Sequence, residues 1–349
     1  MNPELVQYDV LARELLQRVV AEVEPVEIRE WLQRQIARLG GGDENAAMAW
    51  KDSFDWYDAL LEKRDALAQL PVNERRLVDW PWASWNNLID PLEPGMLASI
   101  AAPDGQGKTI VVECLAEHWA SRRLKVVFVH YELNRALMMD RRTARHTSIL
   151  VRTLKSGMMT MAQRDAVRQV RPRLLAWDGE ITYLHTPGWT MERTVQELSK
   201  LHADGRCDVV VIDYLEKAAA STRQVALFGQ NVYARQGDDV ERLKTFAESN
   251  EVPVVMVAQM KKAGKETDWQ KMDRNDMGGS AAKSDKANLV VLLKRDRDDD
   301  GSYSNTVHVQ VDKNTMGATG AFDQYMQPEF FRIADIYRQQ LNDNPASSR

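Results

Sequence analysis

The sequence predicts an α/β protein in which a mostly parallel sheet is flanked by helices, preceded by a small all-helical region. Three observations carry this. Short, continuous apolar runs recur at Met96–Ala102, Lys125–Tyr131, Cys207–Ile212 and Val252–Ala258, and helical periodicity separates them. Apolar runs without polar alternation suit strands covered on both faces, as in parallel sheets. Residues 1–70, by contrast, space their apolar residues at the helical period alone.

Composition bounds the function. The chain has 349 residues, enough for one large domain with an extension or for two domains. Its apolar fraction of 44% suits an ordinary core, and its net charge of −5 means that any nucleic-acid contact comes from a local basic patch. The two cysteines, Cys114 and Cys207, offer no metal-ligand spacing and fit a reducing, cytoplasmic setting. No apolar run approaches a membrane span, and the first residues lack the basic-then-apolar pattern of a leader.

Taken in order, residues 1–70 predict three helices. The first carries Val6, Val10, Leu11, Leu15, Val19 and Val23; the second runs from Val26 to Leu39 and is broken at Gly40-Gly41-Gly42. The third runs from Ala46 to Leu70, with Trp50, Phe54, Tyr57, Leu60, Leu61 and Leu67. They serve either as a cap on the rest of the chain or, through the third helix, as a contact to a neighbouring subunit. Residues 71–95 form a connector whose Trp80, Trp82 and Trp85 read as packing residues. Residues 96–336 form the core, and the polar residues 337–349 a frayed tail.

Within the core, strand Met96–Ala102 runs into Pro103-Asp104-Gly105-Gln106-Gly107 and then a helix opened by Lys108-Thr109-Ile110. This is a phosphate-binding loop. Backbone N–H groups and the helix N-terminus face a polyphosphate, the lysine offsets its charge, and the Thr hydroxyl can hold Mg²⁺. Ala102 stands where the usual pattern has its first glycine. An ordinary β–α turn with an exposed lysine is the competing reading. The next strand, Lys125–Tyr131, ends in Glu132, and helix Arg135–Thr147 follows. After an amphipathic stretch over 148–178 come strand Ile181–His185 and helix Met191–His202. Strand Cys207–Ile212 ends in Asp213, the carboxylate expected to hold the metal. Helix Asp239–Ser249 precedes strand Val252–Ala258, which ends in Gln259. The segment Met260–Lys286 is polar and basic. Strands Asn288–Leu293 and Tyr303–Asp312 read as a hairpin across the turn Asp296–Gly301, and a last strand covers Ala321–Met326.

In a parallel sheet the carboxyl ends of the strands share one edge, where ligands bind. That edge collects Lys108, Thr109, Glu132, Asp213 and Gln259. Lys108 and Mg²⁺ offset phosphate charge, Thr109 and Asp213 hold the metal, Glu132 polarises a water, and Gln259 senses the terminal phosphate. The set suffices for ATP hydrolysis, which needs mainly positioning and electrostatics.

These residues, with Val211–Leu215 (VIDYL), Ala258–Lys262 (AQMKK), Gly278-Gly279-Ser280, Lys294-Arg295-Asp296 and Asp312–Gly320 (DKNTMGATG), resemble the RecA-type ATPases. Within them the likeness is to the DnaB-like hexameric replicative helicases and the related phage and mitochondrial primase-helicases, over about Leu77–Phe331. The resemblance implies a RecA-like core, a homo-hexameric ring with ATP between neighbours, and single-stranded DNA at its centre. It implies a bacterial or phage-encoded protein with a primase or helicase loader as further partners. It implies DNA contacts from Lys261, Lys262, Lys265 and Arg274, a linker helix within Asp52–Leu70, and Lys313 reaching the neighbour's nucleotide. The family's arginine finger falls at Thr315, so Lys313 acts alone, another arginine substitutes, or hydrolysis is slow. A solvated charged loop is the competing reading of the basic segment. Two further functions remain open: a RecA-fold recombination or repair ATPase, and a weakly hydrolysing ATP-binding loader or regulator.

Overall fold

A computed structural model describes residues 53–71, 74–132, 134–260, 274, 282–298 and 301–336. The chain divides into two units, Met1–Pro71 and Val72–Arg349. In the first, the described element is helix α1, Ser53–Gln69, on which Phe54, Trp56, Tyr57 and Leu61 are exposed. The two helices expected before it lie outside the described residues.

The second unit is built on a nine-stranded sheet. Its elements are helix α2 (Ala83–Asn86), β1 (Leu97–Ala102), α3 (Lys108–Ser121), β2 (Lys125–His130), α4 (Arg135–Thr147), α5 (Val151–Ser156), α6 (Met161–Leu175) and β3 (Glu180–His185). There follow α7 (Met191–Ala203), β4 (Val209–Asp213), a 3-10 turn (Leu215–Lys217), α8 (Thr222–Phe228), α9 (Val232–Asn250) and β5 (Val254–Gln259). The last elements are α10 (Ala282–Asp285), β6 (Leu289–Lys294), β7 (Thr306–Asn314), β8 (Gly320–Gln327) and β9 (Arg332–Asp335). The strand order is β3-β2-β4-β5-β1-β6-β7-β8-β9. The first six strands in that order are mutually parallel, and β7, β8 and β9 add antiparallel pairings. The sheet is therefore mostly parallel where the site forms and mixed overall.

Two apolar layers sandwich the parallel strands, which is why those strands carry no polar alternation. On one face Ala98, Ile100, Val126, Phe128, Val209 and Val211 pack with Val111, Leu115 and Trp119 of α3. On the other, Val127, Val129, Val210 and Ile212 pack with Leu198 of α7 and Leu243 and Phe246 of α9. The connector tryptophans are packing residues, as expected. Trp80 and Trp85 are fully buried, and the Trp85 indole N–H donates to Gln324 Oε1 on β8 at 2.8 Å. Trp82 donates to the carbonyl of Ile333 on β9 at 2.9 Å.

Three expectations change. The helix expected to begin at Asp239 begins at Val232, because Asn231 caps it by accepting from the Ala234 N–H, and Gly237 does not interrupt it. Tyr303 lies outside β7, which starts at Thr306. Strand β9 was not expected. Its four residues are too few for a pattern to show, and pairing with β8 creates it.

Candidate functional site

Topology assembles the site. β5 lies between β1 and β4, so the carboxyl ends of β1, β5, β4 and β2 stand side by side on one edge. Register aligns Ala102 with Gln259 and His130 with Asp213. Glu132 follows β2 by two residues, beside the end of β4.

The loop itself is set by two glycines. Gly105 and Gly107 have φ of +77° and +95°, left-handed values costly for other residues. Gly107 directly precedes α3, so the turn releases the helix with its first N–H groups at the sheet edge. A Cβ at Gly105 would come within 3.2 Å of the Tyr303 ring, and one at Gly107 would overlap Met326. Ala102, by contrast, is a fully buried strand residue, absent from the positive-φ positions, so no glycine is needed there. Ile110 is buried and anchors the helix start.

Lys108 Nζ donates to the carbonyls of Ala102 and Pro103, at 2.7 and 2.8 Å. Burial lowers its pKa, and Asp104, Glu216 and Asp213 oppose that shift. The lysine is thus a desolvated cation balanced by carboxylates of its own site. Asp213 is buried, and burial lifts its carboxyl to about 6, against a hydrogen bond from Thr109. Its Oδ1 is buried with no hydrogen-bond partner among the described residues. A hydroxyl joined to a carboxylate with one oxygen unspent is a donor set that fits Mg²⁺.

Gln259 Nε2 donates to Asp104 Oδ2 at 2.9 Å, tying the sensing position to the loop. Glu132 is exposed, with Lys217 Nζ 3.5 Å from its Oε1. Gln106 is buried, and its Oε1 accepts the Arg295 N–H, so its side chain braces the loop against the end of β6. What remains for a ligand at Gln106 is its backbone.

Two predicted groups lie elsewhere. Lys313 pairs across β7 with Val290, near the amino end of β6 and hence at the opposite edge of the sheet from Lys108. Its Nζ donates to the carbonyls of Ser284 and Asp285 at 3.0 and 2.8 Å. Arg274 is at the same end of β7: its backbone N–H donates to Asp312 Oδ2 at 3.3 Å, and its guanidinium lies 3.9 Å from that oxygen. Lys261, Lys262, Lys265 and Gly278-Gly279-Ser280 lie outside the described residues. Lys283, one of the basic residues of that segment, is fully buried.

Sequence reasoning missed four residues here: Glu216, Lys283, Tyr303 and Met326. The Tyr303 hydroxyl donates to the Asp104 carbonyl at 3.4 Å, and Arg297 lies over its ring with the guanidinium carbon 4.5 Å from the centroid. Only Glu216 carried a local signal, a third acid three residues beyond Asp213.

The sequence model of the DnaB-like helicase C-terminal domain matches residues 81–335. Among curated proteins, the replicative DNA helicase DnaB of Treponema pallidum is 21% identical over 249 residues, 71% of this chain and 53% of that protein. That of Leifsonia xyli is 22% identical over 290 residues, 81% of this chain and 60% of that protein. That of Mycobacterium intracellulare is 24% identical over 291 residues, 76% of this chain and 48% of that protein. The chain thus spans about half the length of the curated relatives it matches. Among solved structures, the ATPase domain of G40P superposes with a TM-score of 0.69 at 16% identity, covering 80% of this chain and 98% of that one. A DnaB-like replicative helicase, solved to show its interactions with primase, gives 0.72 at 15% identity, covering 93% and 75%. These likenesses show the RecA-like ATPase fold. With nearly three quarters of its length matched by the family model, the chain belongs to the DnaB-like helicase C-terminal domain family.

Proposed function

We propose that the protein is an ATP-dependent helicase or translocase that moves on single-stranded DNA in replication, as a homo-hexameric ring. The observation that carries this is the convergence of Lys108, Thr109, Asp213 and Gln259 on one sheet edge. Lys108 exchanges the carbonyls of Ala102 and Pro103 for phosphate oxygens when ATP binds. Thr109 and Asp213 would hold Mg²⁺, which would supply charge neutralisation at the phosphates. Glu132 takes a proton from the attacking water. Gln259 shares Asp104 with the loop and so responds to what the loop binds.

Lys313 stands too far round its own sheet to serve its own nucleotide, which supports its acting on the neighbour's. Lys261, Lys262, Lys265 and Arg274 are the proposed DNA contacts. Residues 1–70 form a helical region with the linker helix, 71–95 a connector, 96–336 the ATPase core and 337–349 a tail. Among the described residues no helix is long and apolar enough to cross a membrane, and we place the protein in the cytoplasm of a bacterium or of a phage-infected cell. A primase or loader is the expected partner. Thr315 is exposed at the position where the family resemblance expects an arginine, which favours a second reading, a weakly hydrolysing loader or regulator.

ATP turnover with and without oligothymidylate, together with electron microscopy, tests this. The expected result is rings, DNA-stimulated hydrolysis, and loss of about 100-fold or more of turnover in Glu132→Gln with nucleotide binding kept. A protein that stays monomeric with ATP and DNA, and whose slow turnover ignores DNA, overturns it in favour of the second reading.

A further inference from the structure

Lys283 is fully buried, and a charged lysine is rarely buried unless paired. It pairs with Glu216, in the 3-10 turn after β4, among its interactions: Lys283 Nζ lies 2.6 Å from Glu216 Oε1. The same oxygen accepts the backbone N–H of Gln259 at 2.8 Å. Glu216 Oε2 is buried and has no hydrogen-bond partner among the described residues. Glu216 is also one of the carboxylates acting on Lys108.

The placement matters more than the pair itself. Gln259 is the last residue of β5, just before the basic segment Met260–Lys286, and Lys283 lies near that segment's far end. Both ends of that segment are thus held by one carboxylate oxygen, at the edge where Lys108 and Asp213 meet. Asp104, Gln259, Glu216 and Lys283 form one continuous polar path from the phosphate loop to α10. The backbone of α10 in turn receives the Lys313 ammonium. A buried ion pair adds little stability compared with a neutral replacement, but it holds its partners in one geometry.

We propose that Glu216 and Lys283 are a positioning pair that couples nucleotide at the loop to single-stranded DNA at the segment between Gln259 and Lys283. Neither residue touches the reacting atoms. When the loop closes on a polyphosphate, the Asp104–Gln259 bond changes, the Gln259 N–H moves against Glu216, and Glu216 carries Lys283 and α10 with it. The proposal rests on the helicase reading above. It goes further by naming the side chains that carry the coupling.

The test is the ratio of oligothymidylate-stimulated to basal ATP turnover, with melting temperature measured alongside. An equilibrium readout stands beside it: the ratio of oligothymidylate affinities with and without a non-hydrolysable ATP analogue measures the coupling free energy itself. In Lys283→Met alone Glu216 loses its lysine, in Glu216→Gln alone Lys283 loses this carboxylate, and either loss lowers the melting temperature. In the double variant Glu216→Gln/Lys283→Met both charges are gone and the melting temperature returns to within a few degrees of wild type. The expected result is that neither ratio returns: DNA stimulation of turnover is lost, and the affinity ratio, roughly 5–150-fold for coupled sites, falls to about one. A double variant that regains both stability and the wild-type ratio shows a merely structural pair and overturns the proposal. Should the double variant fail to fold, Glu216→Gln below its melting temperature decides the matter: a ratio near one supports the pair, and a wild-type ratio overturns it. A wild-type protein that ignores DNA overturns the helicase reading and the pair's role with it, and is told apart from the other failure by the wild-type measurement alone.

Discussion

Asp239 offers a direct test of the packing between the segment after β4 and helix α9. It is buried at 4% exposure, and Gln224 Nε2 donates to its Oδ1 at 2.6 Å. Gln224, buried on α8, also donates to Asp238 Oδ2 and to the Arg235 carbonyl, so its amide is committed. Burial raises the Asp239 carboxyl from 3.8 to about 6, helped by the charge of Asp238 and opposed by the Gln224 hydrogen bond, Arg242 and Arg235. A folded-state pKa raised above the unfolded value favours folding most below the unfolded pKa. That contribution is lost as pH rises through the folded pKa, here between about 4 and about 6. Asn mimics the neutral acid and keeps an oxygen for Gln224. Asp239→Asn is therefore expected to match wild type near pH 4 and to be more stable above pH 6. A shift of about two pKa units corresponds to about 3 kcal/mol as an upper value. For a unit of this size that is about 6 °C in melting temperature. Urea unfolding of both proteins at pH 4 and pH 8, without nucleotide, measures it. A variant equal to or less stable than wild type at pH 8, or a gain of the same size at both pH values, refutes the reasoning.

Three further outcomes are expected from the loop and its supporting helix, and one from the basic segment. Gly107→Ala puts a Cβ on a left-handed residue, a cost of about 1–2 kcal/mol, and displaces Met326; thermal unfolding reads the first effect and ATP titration a weakened affinity. Arg145 is buried against Glu113 and Glu117 of α3, the helix that the phosphate loop opens; Arg145→Met leaves Glu113 with Arg141 and Glu117 with Arg142 and His146, so it costs less than the full loss of a buried partner, up to about 3 kcal/mol in a urea melt. Burial alone would raise the Glu117 carboxyl, yet Arg145, His146 and Arg142 hold it at about 2; because its folded pKa is depressed, its share of stability is present above pH 4.5 and lost as acid titration runs from there to about 2. Replacing Lys261 and Lys262 with alanine is expected to weaken oligothymidylate binding and to flatten its salt dependence by about 0.7 for each phosphate no longer neutralised, seen by anisotropy at several salt concentrations; an unchanged slope removes these lysines from the DNA-binding set.

Much of the site was legible because it is local or lies at strand ends. Gly105, Gly107, Lys108 and Thr109 form one turn whose chemistry needs no tertiary information. Asp213 and Gln259 each close an apolar run rich in valine, and a run of that kind announces both a buried strand and its carboxyl end. The lysines told less. Lys261, Lys283 and Lys313 look alike in a basic, polar context, but Lys283 is buried on Glu216, and Lys313 is held at the far edge of the sheet by α10. A lysine's spacing carries no information about which carboxylate meets it across 67 residues. Tyr303 and Met326 were invisible for the same reason: each touches the loop only because β6, β7 and β8 pair beside it.

By itself the sequence determined the kind of chemistry and the class of fold. Continuous apolar strands require a sheet covered on both faces, and a glycine turn before Lys-Thr requires a helix start open to phosphate. Tertiary structure alone decided the strand order and what it brings together. Pairing places β5 between β1 and β4, and only that order puts Gln259 beside the loop and Glu216 beneath Gln259. The physical reason is that side-chain pattern reports how a strand is covered, which is a local property, whereas strand order depends on which covered strands pack at lowest free energy in the whole sheet.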